Sequence, residues 1–422
     1  MLEEYNWAGN LRYSPEEITQ PASIDEVRET VAAAAAVRTL GTRHSFNGIA
    51  DTPGVLVNLE KLGGPMVLDA DARTVTVNAG TRYGEVAGFL VEHGFALHNM
   101  ASLPHISVGG AVATATHGSG TGNLAQAVAA LELVTADGGL LRVDRSSPDF
   151  SGMVVPLGAL GVVTRITLDI EPAYEVRQDV FTDLPWAAVE EHFDTITTAA
   201  YSVSIFGNLT GAAASQVWLK SRMDREQPYA GRQDFFGAAA SDVPRNPVPG
   251  MSPVNCTGQL GVPGSWSDRL SHFRLGFMPS NGDELQSEYL VDRASAVEAL
   301  RALRAMSGRI APLLLVAEIR TVAADDLWLS TSYGRDTVAF HFTWKPRQDA
   351  VEALLPELEA ALAPSRARPH WGKLFTLEHA QLLQLYPRLG DFQQLARRLD
   401  PERKFVNPFL ARKVLPAGLL AG

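Results

Sequence analysis

Glu318 and Arg320 stand two residues apart in Ala317-Glu318-Ile319-Arg320-Thr321. In a strand, period-2 geometry puts both on one face, a carboxylate acceptor beside a planar guanidinium, with Ile319 on the other. Phe340-His341-Phe342-Thr343-Trp344 repeats the pattern, so His341 and Thr343 share a face. His370-Trp371-Gly372-Lys373 sets an ammonium beside a glycine and two aromatic rings. The chain has only six lysines against thirty arginines, so a lysine inside a motif is informative. Taken singly, each piece also reads as plain structure: an ion-pair couple, a solvated lysine. Together they offer an acceptor, a bidentate donor, a hydroxyl and an ammonium, which suits several hydroxyl groups of a sugar-like molecule.

A second kind of chemistry lies upstream. Gly41-Thr42-Arg43-His44-Ser45, Ser107-Val108-Gly109-Gly110 and Thr114-Ala115-Thr116-His117-Gly118-Ser119-Gly120 are small-residue turns. Converging backbone N–H groups in such turns can hold a pyrophosphate, although each alone could be an ordinary turn. There is no G-x-G-x-x-G between strand and helix and no G-x-x-x-x-G-K-[ST], which disfavours a nicotinamide-dependent dehydrogenase. His117 occupies the first glycine position of a hydrolase elbow, so that motif fails. The ten histidines show no metal-ligand spacing, and no metal is expected.

These segments need elements to hold them. Ser23 and Glu26 form a capping-box pattern for a helix over 23–36, and a short strand over 37–40 delivers the chain into Gly41. Further strands are expected at 55–59 and 73–78, and a helix at 83–93 ends at Gly94. Residues 102–122 look too irregular for ordinary secondary structure. A hairpin at 128–143 turns on Asp137-Gly138-Gly139, and a strand at 162–170 follows. Residues 225–268 read as long loops. Strands are expected at 284–291, 314–321 and 337–344, with helices at 293–306, 349–362 and 378–399. The expected division is 1–173, 174–379 and a C-terminal segment 380–422 packing back on the first part.

Composition sets the limits. With 46% apolar and 20% charged residues, the chain has the balance of a soluble globular protein. A net charge of -11 and a pI near 5.4 argue against a nucleic-acid partner, whose affinity rests on Lys and Arg. Cys256 is the only cysteine, which rules out an intrachain disulfide. The first residues lack the pattern of a signal peptide, and no apolar run is long enough to span a bilayer, so a soluble cytoplasmic protein is expected.

Read together, the motifs resemble those of the alditol oxidases, flavoenzymes of the vanillyl-alcohol oxidase superfamily similar to the aldonolactone oxidases. The most specific pieces are His44-Ser45-Phe46-Asn47, the run from Asn99 to Ser107, Glu318-Ile319-Arg320-Thr321-Val322, His341-Phe342-Thr343-Trp344 and His370-Trp371-Gly372-Lys373. The segment after Gly120, Gly122-Asn123-Leu124, is shorter than that family would suggest. The resemblance implies an α+β, two-domain FAD-binding fold of the p-cresol methylhydroxylase type, with a substrate domain over the flavin. It implies a covalent bond from His44 to the flavin 8α-methyl group; Cys256 lies too far from the glycine segments for the second, cysteinyl link of some relatives. It places Gly41, Thr42, Arg43, Ser45, Ser102, Ser107, Gly110, Thr114, Ala115, Thr116, His117, Gly118, Val162 and His370 on the cofactor. Ser102, Glu318, Arg320, Thr343 and Lys373 would line the substrate pocket, with Arg320 and Lys373 catalytic.

The activity so implied is transfer of hydride from a terminal CH2OH of a polyol to FAD, with O2 reoxidising the flavin to give H2O2. The only partner expected is the small-molecule polyol, and a monomer is compatible with it. Rival readings are a sugar-1,4-lactone oxidase or dehydrogenase and a non-catalytic flavin- or carbohydrate-binding protein.

Overall fold

Ser23 Oγ accepts the Glu26 N–H, and Glu26 reaches back to the Ala22 N–H, which fixes the start of the helix Ile24–Ala33. This local agreement runs through much of the computed structural model, which describes residues 4–225, 234–276 and 284–417. The strand Val37–Leu40 follows and pairs in parallel with Val55–Asn58, which in turn pairs with Glu17–Thr19. The second sheet is antiparallel, in the order Val67–Asp69, Thr74–Asn78, Val162–Asp169, Val128–Val134, Leu140–Asp144. The expected hairpin is its last pair, with Gly138 in the left-handed region at φ 80°. These two sheets, the helix Tyr83–Glu92 and residues from 382 to 415 share one apolar core.

From Glu175 onward a ten-stranded sheet takes over. The strands Ser202–Gly207, Leu314–Val322, Thr337–Trp344 and Leu285–Asp292 lie side by side and antiparallel. Helices Ala296–Ala305 and Gln348–Leu362 cover one face. Ile205, Ile319, Phe340 and Phe342 meet Leu300, Leu303, Leu354 and Leu358 there. Alternation then turns the neighbouring residues of the same strands to the opposite face. The α+β class expected from the sequence holds.

Three local readings change. Residues 102–122 are not wholly irregular: Val108–Ala113 is a helix, whose two glycines hide its pattern. Gly109 has to be bare, because a Cβ there would lie 3.0 Å from both the Cβ and the carbonyl oxygen of Ala79. The single helix expected over 378–399 is two, His379–Leu385 and Leu389–Leu399, broken at Pro387, which has no N–H to continue the ladder. The stretch 225–268 is mostly loop but holds short strands at Asp234–Phe235, Ala238–Ala240 and Gly264–Ser265; its residues 226–233 lie outside the described part. Among the described residues no helix is long and apolar enough to cross a membrane.

Candidate active site

The open face of the large sheet floors a cavity of about 760 Å³, and the glycine turns form the opposite wall. Register orders the floor. Glu288, His341 and Glu318 lie directly opposite one another across three strands, and Gln286, Thr343 and Val316 form the next row. Arg320, two residues beyond Glu318, completes the set. All of these line the cavity, as does Lys373.

Glu288 is 1% exposed and sits between the two cations. Its Oε1 is 2.6 Å from Arg320 Nη2 and its Oε2 is 2.6 Å from Lys373 Nζ. A third group, His117 Nε2, approaches Oε1 at 3.3 Å. Burial alone would raise the Glu288 pKa, but Lys373 and Arg320 reverse the balance and hold it well below the usual carboxylate range. Glu318 is likewise held ionised against burial, by Arg320 at 3.6 Å and by His272 at 2.8 Å. Arg320 also reaches Ser102 Oγ and the His117 carbonyl, both at 3.4 Å, so it bridges the floor and the glycine wall.

Lys373 donates a second hydrogen bond to His341 Nδ1 at 2.8 Å. An ammonium can only donate, so Nδ1 accepts and the ring proton lies on Nε2, which donates to Thr343 Oγ1 at 3.1 Å. The Thr343 hydroxyl proton is thereby free for a ligand. Burial, with Lys373 beside it, pushes the His341 pKa down to about 4, so the ring is neutral. Burial also lowers the pKa of Lys373, against the pull of Glu288.

The two motifs that carry His44 and Lys373, more than three hundred residues apart, are clamped to each other. Phe46 N–H donates to the Gly372 carbonyl, and Asn47 Nδ2 donates to those of Trp371 and Lys373. Trp371 is fully buried and anchors the loop through Nε1 to Leu329 O. His44 stacks on Trp7 with ring centroids 5.3 Å apart, and its Nδ1 lies 3.1 Å from Thr42 Oγ1. That oxygen already accepts the Ser107 N–H, which aligns the first two glycine turns. Burial brings the His44 pKa down to about 4, leaving a neutral imidazole with a lone pair.

Of the residues singled out above, Gly41, Thr42, His44, Ser45, Ser102, Ser107, Gly110, Thr114, Thr116, His117, Glu318, Arg320, Thr343, His370 and Lys373 line this one cavity. Arg43, Ala115, Gly118 and Val162 do not. Arg43 pairs with Glu4, and Ala115 is buried at a positive φ of 53°. Gly118 packs so closely that a Cβ would meet Asn99 and Met100 at 2.5 Å. At the start of the Val162 strand, the residues on either side, Gly161 and Val163, face the cavity instead. The residues the sequence reading missed are Glu288, Gln286 and His272. Glu288 left no clear signal of its own, because it follows Gln286 and Ser287 in a strand of mixed polarity.

Comparison with known proteins agrees with this geometry. The family described as FAD binding domain matches residues 15–144, and the one described as D-arabinono-1,4-lactone oxidase matches residues 278–413. An alditol oxidase from Streptomyces sp. is 51% identical over 410 residues, covering 96% of this chain and 97% of its own. The L-gulono-1,4-lactone dehydrogenase of Mycobacterium tuberculosis is 30% identical, covering 97% and 99%. Among solved structures, cholesterol oxidase from B. sterolicum superposes with a TM-score of 0.79 at 14% identity, over 98% of this chain and 96% of its own. That identity supports only the fold, the FAD-binding p-cresol methylhydroxylase type.

The residues present fit FAD. Glycines 41 and 110 face the cavity bare, and a Cβ on either would crowd Ser107 Oγ, at 2.8 Å and 3.1 Å. Bare backbone in such turns is what close approach of N–H groups to a pyrophosphate requires. A cradle of this kind facing a buried polar floor, with near-complete alignment at 51% identity, decides the assignment: the chain belongs to the alditol oxidase family and is an FAD-binding oxidoreductase.

Proposed function

We propose that this protein oxidises a terminal CH2OH of an alditol such as xylitol or sorbitol to the aldehyde level, with FAD held through a covalent bond to His44 and O2 as final acceptor. The observation that carries the reading is the floor Glu318, Arg320, Glu288, Lys373, where two cations and two carboxylates converge on one side of the cavity. FAD, when bound, supplies the hydride acceptor and passes the electrons on to O2, giving H2O2.

The protein's own residues do the rest. Ser45, Ser107, Gly110, Thr114 and Thr116 would hold the cofactor along the glycine wall. Arg320 and Lys373 stabilise negative charge developing on the substrate oxygen as its proton leaves. Glu318, Ser102 and Thr343 meet hydroxyls further along the chain. A substrate lacking one of those hydroxyls leaves a buried polar group unpaired, which costs far more than a missing apolar contact. The same partners suit an enzyme working on a small free solute, as expected of a cytoplasmic protein.

The second reading is a sugar-1,4-lactone, favoured by the lactone oxidase match over residues 278–413. Anaerobic addition of xylitol, sorbitol or a 1,4-lactone to the yellow protein separates the two. Bleaching by polyols and H2O2 on readmission of air is expected; bleaching by the lactone alone would replace the first reading with the second.

A further inference from the structure

Behind the cavity floor lies a buried cation that the reaction as read above does not use. Lys220 sits on the strand Ala213–Arg222 and is 1% exposed. It is not part of the cavity wall. Its Nζ is 2.6 Å from Leu270 O, 3.1 Å from Ser271 O and 2.9 Å from His272 Nδ1, so all three ammonium protons are placed.

His272 does line the cavity. Its Nδ1 faces a group that can only donate, so Nδ1 accepts and the ring proton is on Nε2. Nε2 lies 2.8 Å from Glu318 Oε1, where a donor is required. The opposite tautomer would set proton against proton at one end and lone pair against carboxylate at the other. His272 stays neutral, because burial, with the Lys220 charge next, lowers its pKa to about 4. Phe206 and Trp218 pack edge-on against the ring at 5.5 Å and 5.3 Å and limit its rotation. The His272 backbone N–H donates to Ser102 O at 3.1 Å, so one residue touches two of the proposed substrate contacts.

We propose that Lys220 is a positioning residue for polyol selection: it holds His272 as the Nε2–H tautomer, which occupies one oxygen of Glu318 and leaves the other for Arg320 and a substrate hydroxyl. This rests on the reading that Glu318 meets such a hydroxyl. The groups charged or titratable around Lys220 are His272, Glu318, Arg320 and Cys256.

The test is a double-mutant cycle on the holoenzyme, with xylitol as substrate, at about pH 6, where Lys220 is an ammonium. Lys220→Met should raise KM about tenfold, the loss expected when one charge-assisted hydrogen bond is misaligned, with a much smaller change in kcat. A glutamine at position 272 has no tautomer, and the Glu318 carboxylate, which can only accept, favours its N–H2 near the Nε2 position. In a His272→Gln background, which sets its own baseline, Lys220→Met should therefore add less than about twofold. An equal rise in both backgrounds would mean that Lys220 merely braces the Leu270 and Ser271 carbonyls, and would overturn the proposal. If Lys220→Met does not fold, 15N spectra of the histidine-labelled parent protein decide: a bare Nδ1 with a protonated Nε2 at His272 supports it, and the reverse overturns it. A parent protein that oxidises no polyol would count against the reading of Glu318, while those spectra would still judge the tautomer.

Discussion

Glu288 Oε2 lies 2.6 Å from Lys373 Nζ, joining a strand in the middle of the large sheet to the loop clamped against the His44 turn. Its other oxygen holds Arg320, so a single buried carboxylate fixes both cations proposed to act on the substrate. Glu318, also ionised, balances the second cation, so the floor is paired in charge and holds the N–H groups of Arg320 and Lys373 in place before any substrate arrives. Donors fixed in this way interact more strongly with a substrate oxygen as negative charge develops on it than with the neutral hydroxyl, which is the sense in which the floor favours a transition state.

Removing that carboxylate should cost stability and order together. Glu288→Gln leaves Lys373 and Arg320 buried with one less anion, and a loss of about 3 kcal/mol in unfolding free energy is expected. Urea unfolding of the holoprotein measures it. A loss below about 0.5 kcal/mol, the range of an exposed pair, would show that the two cations do not depend on Glu288.

Lys373→Met keeps an unbranched side chain, one atom shorter, and removes its charge. It also strips His341 Nδ1 of its donor, so the Thr343 hydroxyl is no longer oriented. A fall in kcat of about 10²-fold or more is expected, the scale of one lost electrostatic contact to a developing oxyanion. Stopped-flow reduction by xylitol without oxygen isolates the step. Normal reduction with slow reoxidation would move the role of Lys373 from the substrate to the reaction with O2.

Much of this site was legible in the chain because alternation is a local rule. Glu318 with Arg320, and His341 with Thr343, fall on the cavity face simply because Ile319, Phe340 and Phe342 must face the helices. Glu288 and His272 were not legible, because their significance arises from pairing across strands and from a loop folding over the sheet. Lys220 was hidden in another way. Its neighbours Trp218 and Leu219 make the strand look like plain core, and only the loop at 270–272 gives the ammonium its acceptors. The helix Val108–Ala113 escaped notice because glycine is a poor helix former, and there close packing against Ala79 decides. The resemblance placed Arg43 on the cofactor, yet its side chain turns away from the cavity to pair with Glu4.

The bond proposed at His44 has a direct test. A neutral imidazole that lines the cavity and stacks on Trp7 is available as a nucleophile. Acid precipitation of the purified protein should carry the yellow colour into the pellet, and His44→Ala should release it to the supernatant. Colour in the supernatant from the unmodified protein would remove the covalent link while leaving FAD binding intact.

Lys220 also predicts how stability depends on pH. Burial lowers its pKa from 10.5 to about 7. Between those values the unfolded chain binds a proton that the folded protein does not, so this group makes the folded state gain stability as pH rises. Below about pH 7 both states carry the proton, and the full cost of burying the ammonium is present. The contribution approaches about 1.4 kcal/mol per pH unit in the middle of that window. Lys220→Met should therefore flatten the rise in urea stability between about pH 7.5 and 9.5 relative to the parent. Parallel slopes for the two proteins would place the Lys220 pKa near that of an exposed lysine and contradict its burial beside His272.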